Sequence, residues 1–216
     1  MPGHTDIAPR QRRRDARDNR DRVLAAARQR FRTEGLKASL AGVARDAGAS
    51  IGTLYNHFPT RDALIDAALH ERVAESVERA EAALRAPDPW TGLVEHLLWL
   101  AESQAGDRGF TDICVCSLPA DSPIEQTKAR GHILFQQLVR RAQDSGALRA
   151  DVDTTDIGLL LWSGVRATEG IRAAAPEAWR RHLAIFLDGL RSGAAHPLPG
   201  APLDPEQVRT AMALSQ

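Results

Sequence analysis

Ser39-Leu-Ala-Gly-Val-Ala-Arg-Asp-Ala-Gly-Ala-Ser-Ile-Gly-Thr-Leu-Tyr-Asn-His-Phe58 decides the fold of this 216-residue chain. Leu40, Val43, Ala44 and Ala47 recur at helical spacing behind Ser39, a favourable N-cap, so a short helix is expected there. Gly48 supplies the permissive backbone of a turn. Ser50 then caps a second helix, with Leu54 and Phe58 four apart on one face. The opposite face carries Ser50, Thr53, Tyr55, Asn56 and His57 and no carboxylate. Such a helix, apolar behind and hydrogen-bonding in front, suits the DNA major groove. That groove, about 12 Å wide, admits one α-helix and distinguishes all four base pairs at its edges.

Outward from this hairpin the pattern continues. Val23, Leu24, Ala27 and Phe31 predict a helix from about Asp18 to Glu34, closed by Gly35. Thr60 can cap a long helix whose apolar side includes Leu64, Ala67, Ala68, Val73 and Val77, stopping near Arg85 before Pro87 and Pro89. No glycine or proline interrupts residues 60–86, so this helix is a stiff link and not a flexible linker.

On these residues the chain resembles the TetR family of bacterial transcriptional regulators. The resemblance covers roughly residues 20 to 70 and is carried jointly by Phe31, Gly35, Ala44, Gly48, Gly52, Tyr55 and Phe58. It implies an all-α protein: an N-terminal three-helix helix-turn-helix DNA-binding domain and a larger helical C-terminal domain for ligand binding and dimerisation. By resemblance, Tyr55 and His57 match the phosphate-contacting pair, and Ser50, Ile51, Gly52, Thr53 and Asn56 occupy positions that meet bases or backbone. Ser39 joins that DNA-facing set. Arg61 stands where a lysine is frequent and is expected on a phosphate. The chain departs from the pattern at Arg28, Arg30, Gly42 and Ile51.

Further helices are predicted over Thr91–Ser103, over Phe110–Leu118, from a capping box at Ser122-Pro-Ile-Glu125 to about Ser145, from Asp153 through Thr168, and from Pro176 through Leu190. Gly146 closes one of them. A last short helix is expected from Asp204 to about Leu214. No run alternates as a strand would, and no repeat is visible, which agrees with an all-α chain. The expected organisation is a flexible basic arm over 1–16, the DNA-binding domain over 17–64, the effector and dimerisation domain over 65–192, and a Pro-containing tail over 193–216.

Net charge is zero, but the average hides a division. Residues 1–60 hold 12 Lys and Arg against 6 Asp and Glu, whereas residues 61–216 hold 16 against 22. A protein that docks a polyanion by one end has this asymmetry. Apolar residues at 43% and charged residues at 26% suit a soluble globular protein. No apolar run approaches the roughly 20 residues of a membrane span, and the arginine-rich start is unlike a secretory leader, so a cytoplasmic location is expected. Cys114 and Cys116 are the only cysteines and, two apart on a helix, point away from each other. No phosphate loop, zinc-protease helix or nucleophile elbow appears, so neither an enzyme nor a cofactor or metal is expected.

Two constellations remain. Leu161, Val165, Trp179, Leu183, Phe186 and Leu190 form apolar faces on the last two main helices, which the family resemblance implies pair with a second copy across a two-fold axis. His96, Trp99, Ser103, Phe110, Cys114, Phe135, Leu138 and Trp162 are expected around an effector pocket, which the family resemblance implies. The expected function is a homodimeric regulator, a repressor released from a pseudo-palindromic double-stranded DNA operator by a small apolar or amphipathic molecule. The alternatives are a constitutive DNA-binding protein, a cysteine-based redox or metal sensor, and an enzyme or carrier on the same scaffold.

Overall fold

A computed structural model describes residues 9–194, 196–204 and 206–208. Three helices form the N-terminal head: α1 (Pro9–Glu34), α2 (Leu40–Asp46) and α3 (Ile51–His57). The Ser39 hydroxyl accepts from the Gly42 N–H at 3.3 Å and opens α2, and Ser50 accepts from Thr53 N–H at 3.0 Å and opens α3. These bonds satisfy N–H groups that a helix start leaves unpaired. Gly35 and Gly48 turn the chain with φ of 79° and 63°, the left-handed region that glycine enters without a Cβ clash.

Helix α1 begins at Pro9, well before the expected Asp18. Proline is pre-set for a first helical position, and the Arg, Gln and Ala residues behind it are good helix formers. The part of the expected flexible arm from residue 9 onward is therefore helical, and residues 1–8 lie outside the described residues.

Six more helices follow: α4 (Arg61–Leu84), α5 (Pro89–Gly106), α6 (Arg108–Val115), α7 (Pro123–Asp144), α8 (Thr154–Glu169) and α9 (Ala178–Gly189). A 3-10 turn, Ser192–Ala194, comes after them, and no strand occurs among the described residues. Asp153 and Asp156 make a reciprocal capping box on α8. On α7 the Ser122 cap forms at 3.3 Å, but Glu125 does not return to Ser122 as a capping box requires. Its carboxylate instead takes Leu118 N–H at 3.1 Å, and Asp66 of α4 takes Ile124 N–H at 3.0 Å. Residues 206–208 are helical, and the rest of the expected terminal helix lies outside the described residues. No described helix is long and apolar enough to cross a membrane.

The first core joins Val23, Phe31, Val43 and Leu54 of the head to Leu64 of α4, Phe110 and Ile113 of α6 and Ile124 of α7. Head and body thus share buried surface. The second core lies in the body, around Leu93, Leu97, Leu138 and Ile157. It also holds Leu161, Val165, Trp179, Leu183 and Leu190, which corrects their expected place on a dimer face. Their stripe faces α5 of the same chain, against which both α8 and α9 pack. Phe186 is half-buried against this core. The apolar groups that α8 and α9 leave exposed are Leu160 at 46% and Ile185 at 60%.

Two departures from the family pattern explain each other. The Arg30 guanidinium lies over Gly42, where an added Cβ would stand 2.7 Å from Arg30 Cζ. From there Arg30 Nε donates to Asp46 at 2.6 Å. Arg28 stays at the surface and reaches across to α4, donating to Ala68 O and Glu71, each at 3.0 Å.

Candidate nucleic-acid interface and ligand cavity

Leu54 and Phe58 are buried at 0% and 3%, so they fix which way α3 faces. The other side presents Ile51 at 43% and Tyr55 at 46%, with Ser50, Gly52 and Asn56 exposed and Thr53 and His57 half-buried. The Ser50 and Thr53 hydroxyls are 2.9 Å apart, so capping already uses part of their hydrogen-bonding capacity. Tyr55 and Asn56 are the exposed hydrogen-bonding side chains of the helix itself. An added Cβ on Gly52 would meet only Ser50 Oγ, at 3.7 Å, so another molecule can approach the α3 backbone closely there. Ser39 is exposed at the start of α2.

Arg61 is half-buried at the start of α4. Its Nη1 donates to Leu36 O at 2.7 Å and Ala38 O at 2.9 Å, carbonyls that the turn between α1 and α2 leaves unpaired. One nitrogen of the guanidinium thus braces that turn. Arg20, not singled out in the sequence, lies 5.2 Å above the Phe58 ring, and Lys37 and Arg45 are exposed on the same head.

The second site is a cavity of about 850 Å³ in the body, bounded by α4, α5, α6, α7 and α8. The structure brings His96, Phe110, Cys114, Phe135 and Trp162 together in its wall. Leu138 is not there: it is 1% exposed and packs in the second core. Trp99 and Ser103 face a different cleft, between α1, α4 and α5. Arg72 of α4 draws them there, stacking 5.0 Å over the Trp99 ring and donating to Ser103 Oγ at 2.8 Å. Helical spacing put both on the side of His96, but not which neighbour that side would meet.

Gln104, Lys128 and Thr155 also line the cavity and were not anticipated. Four buried side-chain polar atoms have no partner among the described residues. Three of them, His96 Nδ1, Gln104 Oε1 and Thr155 Oγ1, belong to this wall. Burial pushes the His96 imidazole down to about 4, so it is neutral at ordinary pH. Burial also raises the Cys114 thiol to about 12 and Cys116 to about 11. Cys114 has accessible surface and yet is surrounded by protein, because that surface faces the cavity. Thiols so far from ionisation are poor nucleophiles and metal ligands. Among the described residues no cluster of three His, Cys, Asp or Glu could hold a metal ion.

Helix α6 touches both the cavity and the back of the head. Phe110, Ile113, Cys114 and Val115 face the cavity. Asp112 Oδ2 accepts from Leu36 N–H of the head at 2.9 Å, and burial raises this carboxyl above its ordinary range. Gly109 lies against α1, where an added Cβ would stand 3.0 Å from Phe31 O.

A helix-turn-helix head whose second short helix presents no carboxylate, continuous with a helical body, is the architecture of a DNA-binding transcriptional regulator. Two family descriptions match the sequence: "Bacterial regulatory proteins, tetR family" over residues 23–68, and "Transcriptional regulator SbtR-like, C-terminal domain" over residues 88–192. A crystal structure of a TetR transcriptional regulator from Streptomyces coelicolor is 31% identical, with TM-score 0.53, covering 81% of this chain and 99% of that one. The chain belongs to the TetR family of transcriptional regulators, whose members are not enzymes. It is also 28% identical over 189 residues to the HTH-type transcriptional regulator UidR of Escherichia coli K12, covering 82% of this chain and 92% of that protein. FadR from Bacillus subtilis, solved with stearoyl-CoA, shares the fold at 16% identity and TM-score 0.54, covering 81% of this chain and 99% of that one.

Proposed function

We propose that this regulator is a cytoplasmic homodimeric repressor that leaves its operator when a small molecule occupies the cavity. The observation that carries the reading is the position of α6. Its one face lines the cavity, and its other packs on α1 at Gly109 and holds the α1–α2 turn through Asp112. A ligand pressing on Phe110 and Ile113 displaces the helix that steadies the head. Helix α4 adds a second route, since Val73 and Ser76 line the cavity and Leu64 is buried in the head's core. The ligand acts only if it binds the DNA-incompetent arrangement more tightly, because equal affinity for both shifts nothing.

On the DNA side, Tyr55 and His57 hold phosphates, and Asn56, Thr53 and Ile51 meet base edges. An exposed isoleucine can contact a thymine methyl. Ser39, Ser50 and Gly52 bring backbone close to the duplex.

The test uses a duplex selected by the protein from a random pool and followed by fluorescence anisotropy. Small molecules that raise the melting temperature are added at fixed salt. At least one is expected to release the duplex from the wild type but not from Gly158→Leu. Gly158 lines the cavity, and a Cβ there meets nothing within 4 Å, so a leucine side chain starts unobstructed and takes up cavity space. If every stabilising molecule leaves duplex affinity untouched, the repressor switch is wrong.

A further inference from the structure

We propose that the cavity takes an uncharged, flat aromatic molecule bearing a hydroxyl or N–H donor, which bonds the His96–Gln104 wall. This deepens the ligand-responsive reading above and rests on it. Gln104 and His96 are 6% and 5% exposed, yet each keeps a polar atom without a partner among the described residues. Burying such atoms unpaired costs about 1–3 kcal/mol each, so a group that pairs them is favoured over one that does not. The Gln104 side chain stands beside the Cys114 thiol, and its carbonyl oxygen is left to accept. An acceptor on this wall asks for a donor on the ligand. Thr155 supplies a further hydroxyl from the start of α8.

The shape of the rest follows from the rings. Phe110, Phe135 and Trp162 line the same space, and Phe135 sits tilted beside His96 with centroids 6.0 Å apart. Aromatic walls favour a flat apolar body that stacks or meets ring edges. About 850 Å³ is room for a drug-sized ligand.

Charge decides against an ion. Lys128, the lysine in the wall, is committed: its Nζ donates to Cys116 O at 2.6 Å and Glu125 Oε1 at 2.8 Å. His96 is neutral, so it offers an anion no countercharge. His132 pairs with Gln136 at 3.1 Å, and the second lining carboxylate, Glu206, is exposed at the mouth. An ion against the His96–Gln104 wall would therefore lose its water without a countercharge.

The test measures binding to the full-length protein by calorimetry, without DNA, with four probes of one ring size. These are 1-naphthol, naphthalene, 1-naphthoate and the cationic 1-naphthylmethylamine. 1-Naphthol is expected to bind at least about tenfold tighter than naphthalene, since a site with buried polar groups rejects an analogue that cannot pair them. Both ions are expected to bind more weakly than naphthalene. Gln104→Leu is expected to reduce the 1-naphthol advantage to within about threefold. The wild-type ranking stands even if that variant fails to fold. Tightest binding by either ion, equal binding of naphthol and naphthalene, no binding of any probe, or a naphthol advantage that survives Gln104→Leu overturns the proposal. Operator release is not read in this experiment, so an ion that binds tightest refutes the ligand class and leaves the repressor reading standing.

Discussion

At the scale of single residues, His96 couples the cavity wall to pH. Its imidazole is held neutral in the fold, near 4, but titrates near 6.5 in the unfolded chain. Between those values the unfolded chain binds more protons, so stability rises with pH. The contribution is complete above about 6.5 and is lost as pH falls toward 4. The wild type is expected to lose up to about 3 kcal/mol more than His96→Leu between pH 7 and pH 4, since each pKa unit is worth about 1.4 kcal/mol. Urea unfolding of both proteins at each pH measures this. Parallel losses would mean the imidazole finds a partner or a proton in the fold. Other residues show what a sequence can hide. Arg30 and Gly42 each look like an anomaly alone, and only their juxtaposition shows that the missing Cβ makes room for a guanidinium bound for Asp46. The bracing role of Arg61 was not legible, because nothing in the sequence shows that two carbonyls of the α1–α2 turn point at it.

At the scale of elements, local signals read well. Ser39, Ser50, Thr60 and Asp153 cap the helices they were expected to cap, because a cap is a bond within three residues. Directions read less well. Helix α5 is apolar on most sides, so Trp99 turned toward α4 while His96 turned to the cavity. The contact of α6 with α1 was not legible either, since it joins residues far apart in the chain. It makes a sharp prediction about two glycines. At Gly109 an added Cβ meets Phe31 Cβ at 2.9 Å and Phe31 O at 3.0 Å, and the backbone cannot retreat cheaply. Gly109→Ala is expected to destabilise by about 1–3 kcal/mol, the usual cost of overpacking. Gly158→Ala meets nothing and is expected to stabilise by up to about 1 kcal/mol through helix propensity. Urea midpoints with the same sign of change would show that α6 does not lie close on α1.

At the scale of the whole molecule, two features call for a second copy. The head presents one seven-residue helix, Ile51–His57, which contacts few base pairs alone. The body leaves Leu160 and Ile185 exposed at 46% and 60% on adjacent helices. Periodicity marked α8 and α9 as apolar but could not say which side meets the chain's own α5. The apolar residues run nearly around α8, with Leu160 exposed beside buried Leu161. The dimer face is therefore expected at Leu160 and Ile185, and not at Leu161, Val165, Trp179, Leu183 or Leu190. Substituting glutamate at both exposed positions sets like charges against each other across a two-fold contact without disturbing either core. The double variant Leu160→Glu/Ile185→Glu is expected to sediment as a monomer at micromolar concentration, with its thermal unfolding otherwise cooperative. Its affinity for a palindromic duplex should fall at least about a hundredfold, because joining two heads raises effective affinity by about 10² to 10⁴. Affinity for a half-site duplex should change little, since the basic head is intact and each head binds phosphate by itself. A variant that remains dimeric, or a monomer that keeps its palindrome affinity, would place the two-fold contact elsewhere or remove the need for it.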